Sequence, residues 1–238
     1  MGWTTCARRF PTRARSTASI RRGGADLRPS RPLVYAALAA LVLIWGTTWA
    51  AIRVGLQGIP PLTGIALRFG IAAVLLLALT PVFKVRLGRE PRERRLWVLS
   101  AALNFCLSYG IIYWGEQWVP SGLSSVLFAT FPLMTAGVAH FALPGERLRP
   151  SSLVGVLVGF LGVAVIFSED FRALGGPQVA FAAAVMLISP LSAAFGSVSI
   201  KKWGQGIHPL SLSAVPMAIT SLVMGGLAFL LEADRTVH

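Results

Sequence analysis

Seven stretches near 33–52, 62–83, 96–114, 123–143, 151–167, 178–200 and 210–231 are strongly apolar and hold a single formal charge between them, Arg68. About 20 such residues is the length at which an α-helix crosses the hydrocarbon core of a bilayer. No water reaches the backbone there, so N–H and C=O groups must be satisfied within the segment, and the segment winds into a helix. The pattern therefore predicts an all-α integral membrane protein, a helical bundle that passes several times through the cell membrane. Composition agrees, because only 13% of residues are charged and mean hydropathy is +0.68, whereas a soluble domain is about 25% charged.

The net charge of +13 would suggest a nucleic-acid partner in a soluble protein. Here the basic residues lie in the ends and loops, where they report topology, and no nucleic-acid partner is expected. Residues 1–32 carry eight arginines against one acid, Asp26, with no apolar run. They read as a disordered basic cytoplasmic tail; an Arg- and Ser-rich organelle transit peptide is the other reading, and no secretory h-region is present. With the N-terminus inside, the cytoplasmic side collects the tail arginines, then Lys84, Arg86, Arg89, Arg92, Arg94 and Arg95, then Arg147, Arg149, Lys201 and Lys202. The outside collects Arg53, Arg172 and Arg235. A bias of 18 to 3 predicts a cytoplasmic N-terminus.

A hairpin recurs in this arrangement. Gln57-Gly58-Ile59-Pro60-Pro61-Leu62 returns 148 residues later as Gln205-Gly206-Ile207-His208-Pro209-Leu210, and Gly196 answers Gly46. Both copies join two apolar runs. Five spans separate the units, and an odd number turns the second copy upside down, so the chain is expected to contain inverted-topology repeats with a site near the membrane midplane.

Candidate residues follow from what such an interior tolerates. Arg68 is costly in lipid and so faces a packed or wet interior, where its guanidinium can attract a carboxylate or phosphate, or else it snorkels to the outer surface. Trp45 and Trp49 lie four apart on one helix face. Asn104, Ser108 and Tyr109 form a polar stripe near Tyr113, readable as hydrogen bonding between helices or as a cavity wall. Trp114 and Trp118 read as an interfacial belt. Pro132 and Pro190 interrupt their helices and free carbonyls, which suits a gate or simple packing. The glycines 155, 159 and 162 give the fifth span a flat face for close packing inside the bundle, with a homodimer seam as the lesser reading.

No catalytic constellation, metal-ligand spacing or phosphate loop is present, so the sequence predicts neither an enzyme nor a metal or cofactor. Cys6 and Cys106 imply no disulfide framework, and the three histidines are scattered. No span interior holds an acid; Glu116 and Glu146 lie at the ends of the third and fourth.

Four stretches, in order, resemble the EamA-type branch of the drug/metabolite transporter superfamily. They are Ile44-Trp45-Gly46-Thr47-Thr48-Trp49; Pro60-Pro61 through Ala66-Leu67-Arg68-Phe69; Ser124 through Phe131-Pro132-Leu133, closing at Gly145-Glu146-Arg147-Leu148; and Gly155 through Gly162-Val163. The resemblance covers about 35–231. It implies ten helices as two inverted five-helix repeats, both termini cytoplasmic, with the third and fourth helices lining the cavity. The chain holds one such repeat, 33–167, and the first two helices of the second, 178–231, so the second repeat is incomplete as written. The reading frame is accordingly expected to continue beyond His238 through three more spans. The expected activity is secondary transport, specifically export of small organic metabolites or drugs by alternating access, with a small-molecule substrate and the lipid bilayer as partners. A non-transporting seven-helix receptor or structural membrane protein is the alternative, and it would normally place its N-terminus outside.

Overall fold

The computed structural model describes residues 31–88, 90–146, 150–166 and 176–232, and every regular element among them is helical. Most of the basic tail, the loop with Arg147 and Arg149, and the segments 167–175 and 233–238 lie outside the described residues. The chain divides between Val42 and Leu43 into two compact units. Of the first, residues 31–42 form the opening turns of α1 (Arg31–Gly55), every side chain exposed.

The remaining helices are α2 (Pro61–Leu79), α3 (Pro91–Gly115), α4 (Ser121–Ala142), α5 (Pro150–Ile166), α6 (Pro177–Trp203) and α7 (Pro209–Leu231). Each of the seven expected spans forms a helix, and among the described residues six are long and apolar enough to cross a membrane. The seventh is α5, whose 17 described residues rise about 26 Å at 1.5 Å per residue. Helices α2, α3, α5, α6 and α7 all begin at a proline, whose fixed φ suits the first turn and whose missing N–H would have no helical partner there.

Three helices depart from regular winding. In α3 the stretch Ala101–Leu107 is π-helical. Helix α4 breaks after Phe128 and resumes at Phe131, with Pro132 in the new first turn; Thr130 Oγ1 donates to the freed end at Leu127 O, 2.7 Å away. Helix α6 breaks at Leu187, and the buried Pro190 sits in the first turn of its second half. A third proline, Pro216, lies inside α7 and cannot donate back to Leu212.

Helices α2 and α7 pack along each other and run antiparallel, since the start of α2 meets the end of α7. Small residues allow the close approach: Ser221 Oγ donates to Ala66 O at 2.8 Å, and Gly225 and Gly70 leave room for Ala66 and Ser221. Close packing of this kind is what holds helices together where lipid removes the hydrophobic driving force. The glycine face of α5 has no such neighbour among the described residues, because a Cβ on Gly155 or Gly162 would meet nothing within 4 Å.

Each end of the α2–α7 pair is closed by a buried acid. The Glu232 carboxylate accepts from the backbone N–H groups of Leu62 and Thr63, both at 2.9 Å, and from Thr63 Oγ1 at 2.8 Å, capping α2 from another helix. At the opposite end Ser211 Oγ donates to Glu93 and accepts from Trp97 Nε1 at 3.0 Å. Thr63 and Ser211 stand 148 residues apart, the offset of the repeated turn. The two turns differ in detail, for Gly206 has φ +80° while Gly58 does not enter that region.

Candidate substrate cavity

Helices α1 to α4 enclose a cavity of about 170 Å³, lined by Trp45, Thr48, Trp49 and Ile52 of α1, Arg68 of α2, Tyr109 and Ile112 of α3 and Phe128 of α4, with Ile44 at one side. Trp45, Thr48, Trp49 and Ile52 recur at three- and four-residue steps, so α1 presents them on one face. The Thr48 hydroxyl is satisfied by its own helix, donating to Ile44 O at 2.7 Å, which lets it line an apolar wall without an orphaned donor. A second cavity of about 410 Å³ shares Thr48, Ile52 and Arg68 and adds Tyr113, Gly64, Leu67 and Ile71 among its walls. Arg68 therefore stands where the two meet.

The guanidinium lies over rings. Its Cζ is 5.2 Å from the Tyr109 ring centroid and 5.9 Å from that of Phe69. Among the described residues it makes no hydrogen bond and no ion pair, and no acid lines either cavity. The ring quadrupoles steady the positive charge without using the five N–H donors. Phe69 takes Tyr109 and Phe105 edge-on at 4.8 and 5.1 Å, and Trp49 rests against Phe128 at 5.5 Å. These contacts hold the walls in place. The site can therefore offer a forked cation to an anionic group and aromatic surfaces to the rest of a solute.

The structure divides the sequence candidates. Trp45, Trp49, Arg68 and Tyr109 meet in the first cavity and Tyr113 in the second, with Trp45 more than half exposed at the rim. Asn104 and Ser108 line neither; they face α6. Ser108 Oγ and Ser189 Oγ share a buried hydrogen bond of 2.9 Å, and Asn104 bonds Ser100 and Ser197 while pressing on Gly196. Residues four apart share a helix face, whereas Tyr109 follows Ser108 by one residue and turns about 100° away toward α1 and α2. Pro132 and Pro190 mark helix breaks away from the cavity walls. Thr48 and Phe128 were not singled out by sequence. Thr48 could have been, from its place on the Trp45 and Trp49 face, while nothing distinguishes Phe128 from other apolar residues.

Asn104 gives a direct test of this helix contact. A Cβ on Gly196 would lie 2.5 to 2.6 Å from three atoms of the Asn104 amide, so Gly196→Val should cost about 1–3 kcal/mol by overpacking. A lower unfolding temperature than wild type in detergent is the expected result.

A wider groove of about 580 Å³ lies between α4 and α6, with Met134, Phe141, Leu191 and Phe195 among its lining residues. Its only charged residue, Lys202, is exposed at the end of α6 over the Trp203 ring at 5.3 Å, whereas Arg68 is half-buried beside two rings.

The helices define a multi-pass, all-α membrane protein. Residues 32–168 match the EamA-like transporter family model, more than half of the chain, and the chain belongs to that family. It is 27% identical over 200 residues to an uncharacterized transporter of Bacillus subtilis, YoaV, covering 84% of this chain and 68% of that one. A second B. subtilis transporter, YvbV, is 31% identical over 189 residues, covering 79% and 60%. The inner membrane transporter YedA of Escherichia coli K12 is 34% identical over 168 residues, covering 69% and 52%. The chain thus spans between about half and two thirds of the length of these relatives. A solved crystal structure of a protein superposes with TM-score 0.65 at 20% identity, covering 85% of this chain and 68% of that chain, a likeness of fold.

Proposed function

We propose that the chain belongs to a secondary carrier that exports small organic solutes by alternating access, its N-terminus in the cytoplasm. The observation that carries this reading is the Arg68 guanidinium, without a hydrogen bond or ion pair among the described residues and placed over Tyr109 and Phe69, at the junction of two cavities inside a membrane bundle. Holding a half-buried cation without a partner inside a membrane bundle is costly, and a site that keeps one fits recognition of an opposite charge. The neighbouring Trp49, Tyr109 and Phe128 suit an apolar or aromatic body, so the solute class is a small amphiphilic organic anion. The antiparallel α2–α7 contact supports the inverted arrangement that alternating access uses. The basic bias of the loops supports the orientation.

The test is flux. Protein purified and reconstituted in liposomes should move an aromatic or aliphatic carboxylate in a saturable, stereoselective way. Flux equal to that of empty liposomes across organic anions, amino acids, nucleosides and cationic drugs would remove the reading. N-terminal tags reached by protease from outside whole cells would remove the orientation.

A further inference from the structure

Glu116 is left unused by the cavity around Arg68. It lies in the turn just past Gly115, the last residue of α3, and is fully buried, at 0% exposure. Neither of its carboxyl oxygens has a hydrogen-bond partner among the described residues. Ionised, such a group gives up its hydration with no bond in return; protonated, it fits an apolar setting far better. The charged group facing it is Arg53, at the end of α1. That guanidinium donates to the backbone carbonyl of Glu116 and not to its carboxyl group, so the turn is fastened to α1 whichever protonation state the side chain holds. Among the described residues, the other packed elements bring no further charge to this point. Helix α6 presses Met186 against Gly115, and Val119 and Leu123 around the start of α4 pack with Met186. Tyr113, a turn earlier on α3, lies against Gly64.

We infer that Glu116 is a proton-binding site, neutral while the ends of α1 and α3 are packed as described and ionised when this turn opens to water. Each opening then releases one proton from the carboxylic acid, leaving a carboxylate, and each closing takes one up from water. The proposal rests on the carrier reading for its use, which is to tie solute movement to a proton gradient, while the site itself stands on the burial of the group.

Burial pushes the Glu116 carboxyl up from 4.5 to about 7, with Arg53 pulling it the other way. The packed form holds the proton more tightly, so its advantage is complete below about 4.5 and is lost as pH rises through about 7. The packed carboxyl therefore changes protonation near neutral pH, as a coupling group requires.

Trp114 and Trp118 flank Glu116 with ring centroids 4.8 Å apart, and their fluorescence reports the packing of the turn. In protein reconstituted in neutral-lipid vesicles, raising the pH should produce a one-proton transition centred near 7. Glu116→Gln should abolish it, and Arg53→Gln should move it upward by removing the opposing field. A transition that persists unchanged in Glu116→Gln overturns the inference. Should that variant fail to insert, infrared spectra of wild type with labelled glutamate still decide the matter. A carboxylic acid band that disappears through neutral pH supports the site, and glutamates ionised throughout overturn it. Titration without flux would remove the carrier reading and leave the proton site; flux with no Glu116 titration would do the reverse.

Discussion

Arg68→Ala is expected to weaken binding of the anionic solute roughly 10- to 150-fold, with the amount of protein inserted in the membrane unchanged. The figure follows from a charge-assisted hydrogen bond in a partly desolvated site, about 1.5–3 kcal/mol. Insertion is spared because Arg68 makes no ion pair or hydrogen bond whose loss would orphan another described group. Its contacts with Tyr109 and Phe69, at 5.2 and 5.9 Å, contribute less than the solute bond would. Arg68→Lys should recover only part of the affinity, since an ammonium lacks the planar fork and stacks less well on Tyr109. Measuring solute affinity and inserted protein for both variants separates the roles. An equal loss of inserted protein in the two would assign Arg68 to folding.

Glu232→Ala should lower the unfolding temperature in detergent by roughly 4–16 °C, from a cost on the order of 2–4 kcal/mol. The carboxylate accepts three hydrogen bonds at 2.8 to 2.9 Å from Leu62 and Thr63. Two of these satisfy N–H groups in the first turn of α2, where the helix dipole adds to the attraction for a negative charge. The cost is less than three separate bonds because all three share one carboxylate. Glu232→Gln, which keeps an acceptor oxygen but not the charge, should fall between wild type and alanine. An unfolding temperature unchanged in Glu232→Ala would mean that the α2 terminus finds water when the acid is gone.

The spans and the single charge inside them were legible because a bilayer imposes length and polarity on every helix, and Arg68 stood out as the one residue that breaks the rule. Trp45 and Trp49 were legible as one helix face and Tyr109 as part of a polar stripe, but their place beside that charge was not. The rest of the wall was not. In a membrane bundle the faces toward lipid and toward protein are both apolar, so amphipathic periodicity does not say that Phe128 looks inward and Phe141 outward. The polar stripe of α3 was visible as residue types, but its division between α6 and the cavity depends on which helices stand on either side. The Glu232 cap and the Glu93–Ser211–Trp97 cluster join residues more than 100 positions apart, and no local spacing announces such pairs. Glu116 was visible only as an acid near a helix end; its burial and its facing Arg53 belong to packing.

The central claim is that the cavity where α1, α2, α3 and α4 meet at Arg68 lies on the transport path. Thr48 lines both cavities beside Arg68, and Thr48→Cys is a small change on a background with Cys6 and Cys106 replaced by alanine. In oriented membrane vesicles, a membrane-impermeant thiol reagent should label this cysteine from each face of the membrane in turn, and transported solute should slow the labelling. A cysteine reached from neither face, or from one face alone under every condition, would contradict the account.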